Sequence, residues 1–132
     1  MLQAESLSNK NYGSVVVSEV ASIYDGDNFR ANIKGYPDLL GYRISIRVNG
    51  VDTPEIRGKC EQEKILARKA KQFTVNALRN AKKIELFNMK RGKYFRIVAD
   101  VYVDGISLAD GLISNKLAVP YEGGTKQDWC SQ

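Results

Sequence analysis

In three stretches, 29–34, 42–48 and 94–103, apolar side chains fall on every second position, whereas across 61–81 they recur every three or four. That switch of period constrains the fold more than any other feature. Period two is a strand with one buried face, and period 3.6 is a helix with one buried stripe. Phe29, Ala31 and Ile33 alternate with Arg30, Asn32 and Lys34, and Ile44, Ile46 and Val48 alternate with Arg43, Ser45 and Arg47. Residues 14–24, SVVVSEVASIY, are β-rich and stop at the turn signal Asp25-Gly26, while Gly35, Pro37 and Gly41 mark a loop.

Leu66, Ala70, Phe73, Ala77 and Ala81 form the stripe of the long helix predicted over 61–81. Glu61 and Glu63 in its first turn and Arg79, Lys82 and Lys83 near its end suit the helix dipole. A short strand is expected at 83–89. In 94–103, Phe95, Ile97, Ala99, Val101 and Val103 share a face opposite Arg96, Val98, Asp100 and Tyr102. Asp104-Gly105 makes a turn, followed by a shorter helix at 106–115 and a last short strand at 117–121. The order βββαββα suits a small closed barrel with helices packed on it, not a βαβ sheet. At 132 residues the chain is expected to be a single domain, 13–132, after a flexible polar segment, 1–12. No stretch approaches the roughly 20 apolar residues that span a bilayer, so no membrane role is expected.

Twenty Lys and Arg against fifteen Asp and Glu leave a net charge of +5, which favours a polyanionic partner. The chain has no histidine, which removes His-based acid–base chemistry, Ser-His-Asp and Cys-His nucleophiles and the usual zinc sites. Any catalysis must rest on carboxylates, Arg, Lys or Tyr, with a hard metal. Cys60 and Cys130 leave two readings open, free thiols or a bridge that would imply an oxidising compartment.

Several charges do not suit a plain core. Asp25-Gly26-Asp27 reads first as a hairpin turn and lacks EF-hand spacing, yet Asp27 has the parity of the buried face. In Asp52-Thr53-Pro54-Glu55, proline holds Thr53 extended and turns its carbonyl away from helical bonding. That carbonyl beside Asp52 is a hard oxygen site which, with Asp27, could hold Ca2+; alone the stretch is an ordinary turn. Arg47 and Arg96 oppose the apolar faces of their strands, as solvated arginines or as forks for a phosphate. Together the inventory is what charge-neutralising phosphoester cleavage requires without histidine.

The chain closely resembles the staphylococcal nuclease (thermonuclease) family from about Val15 to Tyr121. The resemblance rests on YDGDNF at 24–29, RVNGVDTPE at 47–55, the Ala-rich helix, KYFR at 93–96 and DGISLADGLISNKLA at 104–118. It implies an α+β, mainly β, fold: a five-stranded OB-fold Greek-key barrel with two to three packed helices. The implied activity is Ca2+-dependent hydrolysis of DNA and RNA, leaving 3′-phosphates. Carried over, Asp27, Asp52 and the Thr53 carbonyl resemble the calcium ligands, Arg47 and Arg96 the phosphate-clamping arginines, and Glu55 the base or water-orienting group. Lys93 and Tyr94 match positions near the substrate's other phosphate. Two departures stand out: Phe95 replaces a more usual glycine, and after the last strand only Tyr121 remains where the family carries two stacking tyrosines. The loop from Glu55 to the long helix is short, and the family's last helix is expected to be abbreviated or absent. The alternative is a non-catalytic OB-fold module binding nucleic acid or protein. Single-stranded DNA or RNA is the expected partner, the monomer the expected state, and a secreted or periplasmic setting the expected location.

Overall fold

The computed structural model describes residues 11–131, all but the side chain of Tyr94. Strands β1 (Val15–Asp25), β2 (Asn28–Ile33) and β3 (Ile44–Val48) form an antiparallel meander, with a single-turn helix α1 (Asp38–Gly41) between β2 and β3. A two-residue strand β4 (Val51–Asp52) leads to the long helix α2 (Glu61–Arg79). The chain returns through β5 (Ile84–Arg91), a 3-10 turn (Lys93–Phe95) and β6 (Ile97–Val103). A short β7 (Ile106–Ser107), helix α3 (Leu108–Ser114) and β8 (Val119–Pro120) follow. The tail from Tyr121 to Ser131 carries no helix.

Two pairings close the barrel. The start of β1 runs antiparallel to β5, with Val15 opposite Leu86. β3 lies parallel to β6, with Arg47 opposite Val98. The circuit β1-β2-β3-β6-β5-β1 makes a closed, mixed five-stranded barrel, the expected OB-fold. Register shifts at Val17/Glu19, Val20/Ser22 and Ile23/Asp25 bend β1 so that it can serve both neighbours. Phe29, Ile46, Val48, Leu86, Met89 and Val101 fill the interior.

The long helix is capped by Cys60, whose sulfur accepts from the Glu63 N–H at 3.4 Å. Its buried seam is Glu63, Ala67, Ala70, Thr74 and Leu78, about one position off the stripe read from apolar spacing. Close approach is the reason. A Cβ on Gly26 would stand 2.9 Å from Ala70 Cβ and 3.0 Å from Thr53 Cγ2, so only small side chains fit where α2 crosses the β1–β2 turn. Thr74 Oγ1 donates to the Gly26 carbonyl at 2.7 Å and fixes that contact. Phe73, Ala77 and Ala81 pack at the seam's edge, partly buried.

Other expectations shift at element ends. Lys93–Phe95 is a turn, not the start of a strand, and Phe95 is 77 % exposed with φ of 59° rather than facing inward. Ser107 ends β7 and caps α3, its hydroxyl accepting from the Asp110 N–H, so the second helix begins at Leu108. Of the expected flexible segment 1–12, residues 1–10 lie outside the described residues. Asn11 Nδ2 donates to Asn88 Oδ1 at 3.1 Å, and the Tyr12 N–H to the Met89 carbonyl at 2.8 Å.

Candidate active site

The β1–β2 turn delivers three polar groups into a space closed by α2. Asp25 and Asp27 are buried, and Asp25 Oδ1 accepts from the Asp27 N–H at 3.1 Å, a self-capped turn. Asn28 Nδ2 bridges them, 3.2 Å from Asp25 Oδ1 and 2.9 Å from Asp27 Oδ1. The other oxygen of Asp27 accepts from the Thr53 N–H at 3.2 Å and pairs with Arg47 Nη1 at 2.7 Å. Burial pushes the Asp27 carboxyl up to about 7; the Arg47 charge pulls it down, and Asp25 pushes it further up. Desolvation wins over the ion pair.

Arg47 is held on three sides. Besides Asp27, its guanidinium donates to the Val48 carbonyl at 2.9 Å and the Val51 carbonyl at 2.8 Å. The parallel β3–β6 seam sets Arg47 opposite Val98 and leaves Arg96 just ahead of the first pair, Ile46 and Ile97. Arg47, Arg96, Lys90, Val98 and Tyr121 line one groove of about 440 Å³. Arg96 Nε is buried there with no hydrogen-bond partner. Tyr121 reaches the groove because its N–H donates to the Gly50 carbonyl at 2.8 Å, next to the β4–β8 pairing of Asp52 with Val119.

Asp52 and Thr53, which follow the groove-lining Val51, are buried, and Glu55 is exposed. Burial raises the Asp52 carboxyl above the ordinary carboxylate range, Lys126 opposing it and Asp27 adding to it. Lys126 Nζ lies 3.6 Å from both Asp52 and Glu55. Sequence reasoning missed this lysine, because the sequence leaves the Cys60–Cys130 bridge open and nothing else along the chain announces that the tail returns. The structure resolves how: Cys60 and Cys130 form a disulfide, Trp129 is buried, and Gln62 Nε2 donates to the Trp129 carbonyl at 3.3 Å. Glu63 was missed too. Its carboxylate accepts from the Glu55 and Lys59 N–H groups at 3.1 and 3.0 Å, folding the loop that carries Glu55. Gly58 leaves room for it, since a Cβ there would lie 2.6 Å from Glu63 Cδ. An acid on the inward seam of a helix was the available signal.

The structure therefore brings Asp27, Arg47, Asp52, Thr53, Arg96 and Tyr121 to one end of the barrel, and Lys126 ties the exposed Glu55 to Asp52. Lys93 is exposed on the 3-10 turn and does not line the groove. The side chain of Tyr94 lies outside the described residues. Among the described residues, no group of three or more His, Cys, Asp or Glu side chains is arranged to hold a metal ion. A cation here would rest on the Asp27 and Asp52 carboxylates and the Thr53 carbonyl, and the buried Thr53 Oγ1 beside them has no hydrogen-bond partner.

A closed mixed barrel with a two-arginine groove beside a buried acidic pocket defines a small OB-fold domain with a site at one end. A profile described as staphylococcal nuclease homologue matches residues 45–130, and the chain belongs to that family. It is 30 % identical over 145 residues to a probable endonuclease of Schizosaccharomyces pombe, covering 92 % of this chain and 62 % of that protein. It is 28 % identical over 103 residues to a probable endonuclease of Pyrenophora tritici-repentis, covering 64 % and 38 %. A probable endonuclease of Phaeosphaeria nodorum is 33 % identical over 69 residues, covering 51 % and 23 %. The chain spans less than two thirds of the length of these curated relatives.

Proposed function

We propose that this protein is a Ca2+-dependent nuclease that hydrolyses phosphodiester bonds of DNA or RNA and leaves 3′-phosphates. The observation that carries the reading is the shared groove: Arg47 of β3 and Arg96, just ahead of β6, line one space, and the buried Asp27 pairs with Arg47. The relatives' names, probable endonucleases, support it. Ca2+ held by Asp27, Asp52 and the Thr53 carbonyl would neutralise charge on the scissile phosphate. Arg47 and Arg96 bind the phosphate and stabilise the added negative charge of the five-coordinate transition state. Arg47 is pre-aimed for this by its carbonyl contacts. Glu55 stands open to solvent and orients, or takes a proton from, the attacking water. Lys93 and Tyr94 contact the neighbouring phosphate, and Tyr121 the base. The substrate is single-stranded nucleic acid, and the enzyme acts as a monomer. The Cys60–Cys130 disulfide supports a secreted or periplasmic setting. No described helix is long and apolar enough to cross a membrane.

The test is cleavage of single-stranded DNA with Ca2+ and with EGTA, by wild type and Arg47→Ala. The variant should lose on the order of 10²-fold or more in rate. Undiminished Ca2+-dependent cleavage would refute the assignment, and EGTA-insensitive binding without cleavage would establish the non-catalytic module.

A further inference from the structure

The turn between β5 and β6 holds a costly residue. Phe95 adopts φ of 59°, the left-handed region where a large side chain is strained and glycine is at ease. Packing does not compensate, for the ring is 77 % exposed. Arg91 covers part of it, its guanidinium carbon 5.4 Å from the ring centroid. The turn itself is tightly built: the Gly92 N–H donates to the Arg96 carbonyl at 2.7 Å and the Arg96 N–H to the Lys93 carbonyl at 3.2 Å. Strain held in place with no gain in packing points to a role in binding.

Phe95 forms one wall of a second groove, about 370 Å³, with Tyr12, Tyr36, Leu40, Lys90 and Arg96 among its lining. Tyr12, Tyr36 and Leu40 all present exposed surface, so the floor and walls are aromatic and apolar while the rim is cationic. Arg96 and Lys90 also line the Arg47 groove. The two spaces therefore meet at Arg96, and a chain of phosphates clamped there has one continuous cationic path into the aromatic groove.

We infer that this second groove is a stacking subsite for single-stranded nucleic acid, taking one or two unpaired bases beyond the phosphate held at Arg96. Phe95 and Tyr36 supply ring faces, and Lys90 and Arg91 meet the backbone phosphates outside. Alternating ring faces and cations are what a sequence-tolerant single-strand site requires, because every base offers a flat face and every linkage a charge. A double helix does not satisfy it, since its bases are already stacked on one another. The inference rests on the nuclease reading for its ligand class and extends the substrate past the cleaved bond.

The experiment compares wild type with a Tyr36→Ser/Phe95→Asn double variant. Asparagine tolerates positive φ, so the turn is kept, and an unchanged thermal melt verifies the fold. Fluorescence anisotropy in EGTA, where nothing is cut, measures affinity for dT2, dT8, rU8 and an octamer of abasic sites. The double variant should bind dT8 and rU8 at least about tenfold more weakly, with dT2 and the abasic octamer unchanged. Equal affinity of wild type and variant for both base-bearing octamers overturns the subsite, as does an equal loss for the abasic strand. A loss confined to rU8 or to dT8 assigns the subsite to RNA or to DNA alone. Wild type that cuts no nucleic acid in Ca2+ refutes the nuclease reading instead, a failure visible before any variant is made.

Discussion

Replacing Asp27 with Asn asks whether burial or the Arg47 ion pair governs the acidic pocket. In the metal-free fold the Asp27 carboxyl sits at about 7 against an ordinary 3.8. A raised folded value means that the native state holds the proton more tightly than the unfolded chain does. The associated stability is therefore complete below about pH 4 and is lost as pH rises through about 7. At about 1.4 kcal/mol for each pH unit, the gap corresponds to roughly 4 kcal/mol. Asn cannot ionise and does not suffer this loss. Urea unfolding of wild type and Asp27→Asn in EGTA, from pH 4 to pH 8.5, should show the variant gaining on wild type by up to about 4 kcal/mol across that range. Groups out of reach of the Asp27 charge cancel in the difference, whereas Asp52, which that charge pushes up, does not cancel fully. A flat difference, or one in which wild type gains as pH rises, would mean that the 2.7 Å contact with Arg47 outweighs desolvation and would refute the reasoning. Under the proposed function, Ca2+ at a hundred times its Kd should return about 3 kcal/mol to wild type and nothing to the variant.

Lys126→Met removes an ammonium that sits on both Asp52 and Glu55; calorimetry should show Ca2+ binding tightened a few-fold, since a half-exposed lysine contributes under about 1 kcal/mol. Unchanged affinity would show that the lysine leaves at no cost. Opening the disulfide with Cys60→Ala and Cys130→Ala frees a loop with a sequence separation of 70 and should lower stability by about 4 kcal/mol in thermal unfolding. A loss well under 1 kcal/mol would mean that Trp129 and Gln62 hold the tail unaided.

Legibility tracked how local each determinant is. Parity gave the faces of β2, β3 and the body of β6 because each strand reports its own burial, and it placed Asp27 inward for the same reason. Resemblance supplied the pairing of distant motifs, which no window of sequence contains. The α2 seam was displaced because apolar spacing records where large side chains sit, whereas the closest contact, at Gly26 and Ala70, selects small ones. Phe95 continued a period-two pattern that the tight turn at Gly92 interrupts, and hydrophobic type alone cannot reveal a positive φ. Lys126 acts on partners far along the chain, and Glu63, though legible as an acid on the helix's inward seam, acts through backbone N–H groups that leave no sequence trace.

The seam between β3 and β6 joins strands separated by all of α2 and β5. Arg47 and Arg96 come to line one groove only once that long-range closure has been made. A nascent chain that has folded its first meander already holds Asp27 against Arg47 but lacks Arg96. The groove is thus withheld until the barrel is complete, and any fluctuation that unzips this single parallel contact dismantles it again while leaving the antiparallel strands paired.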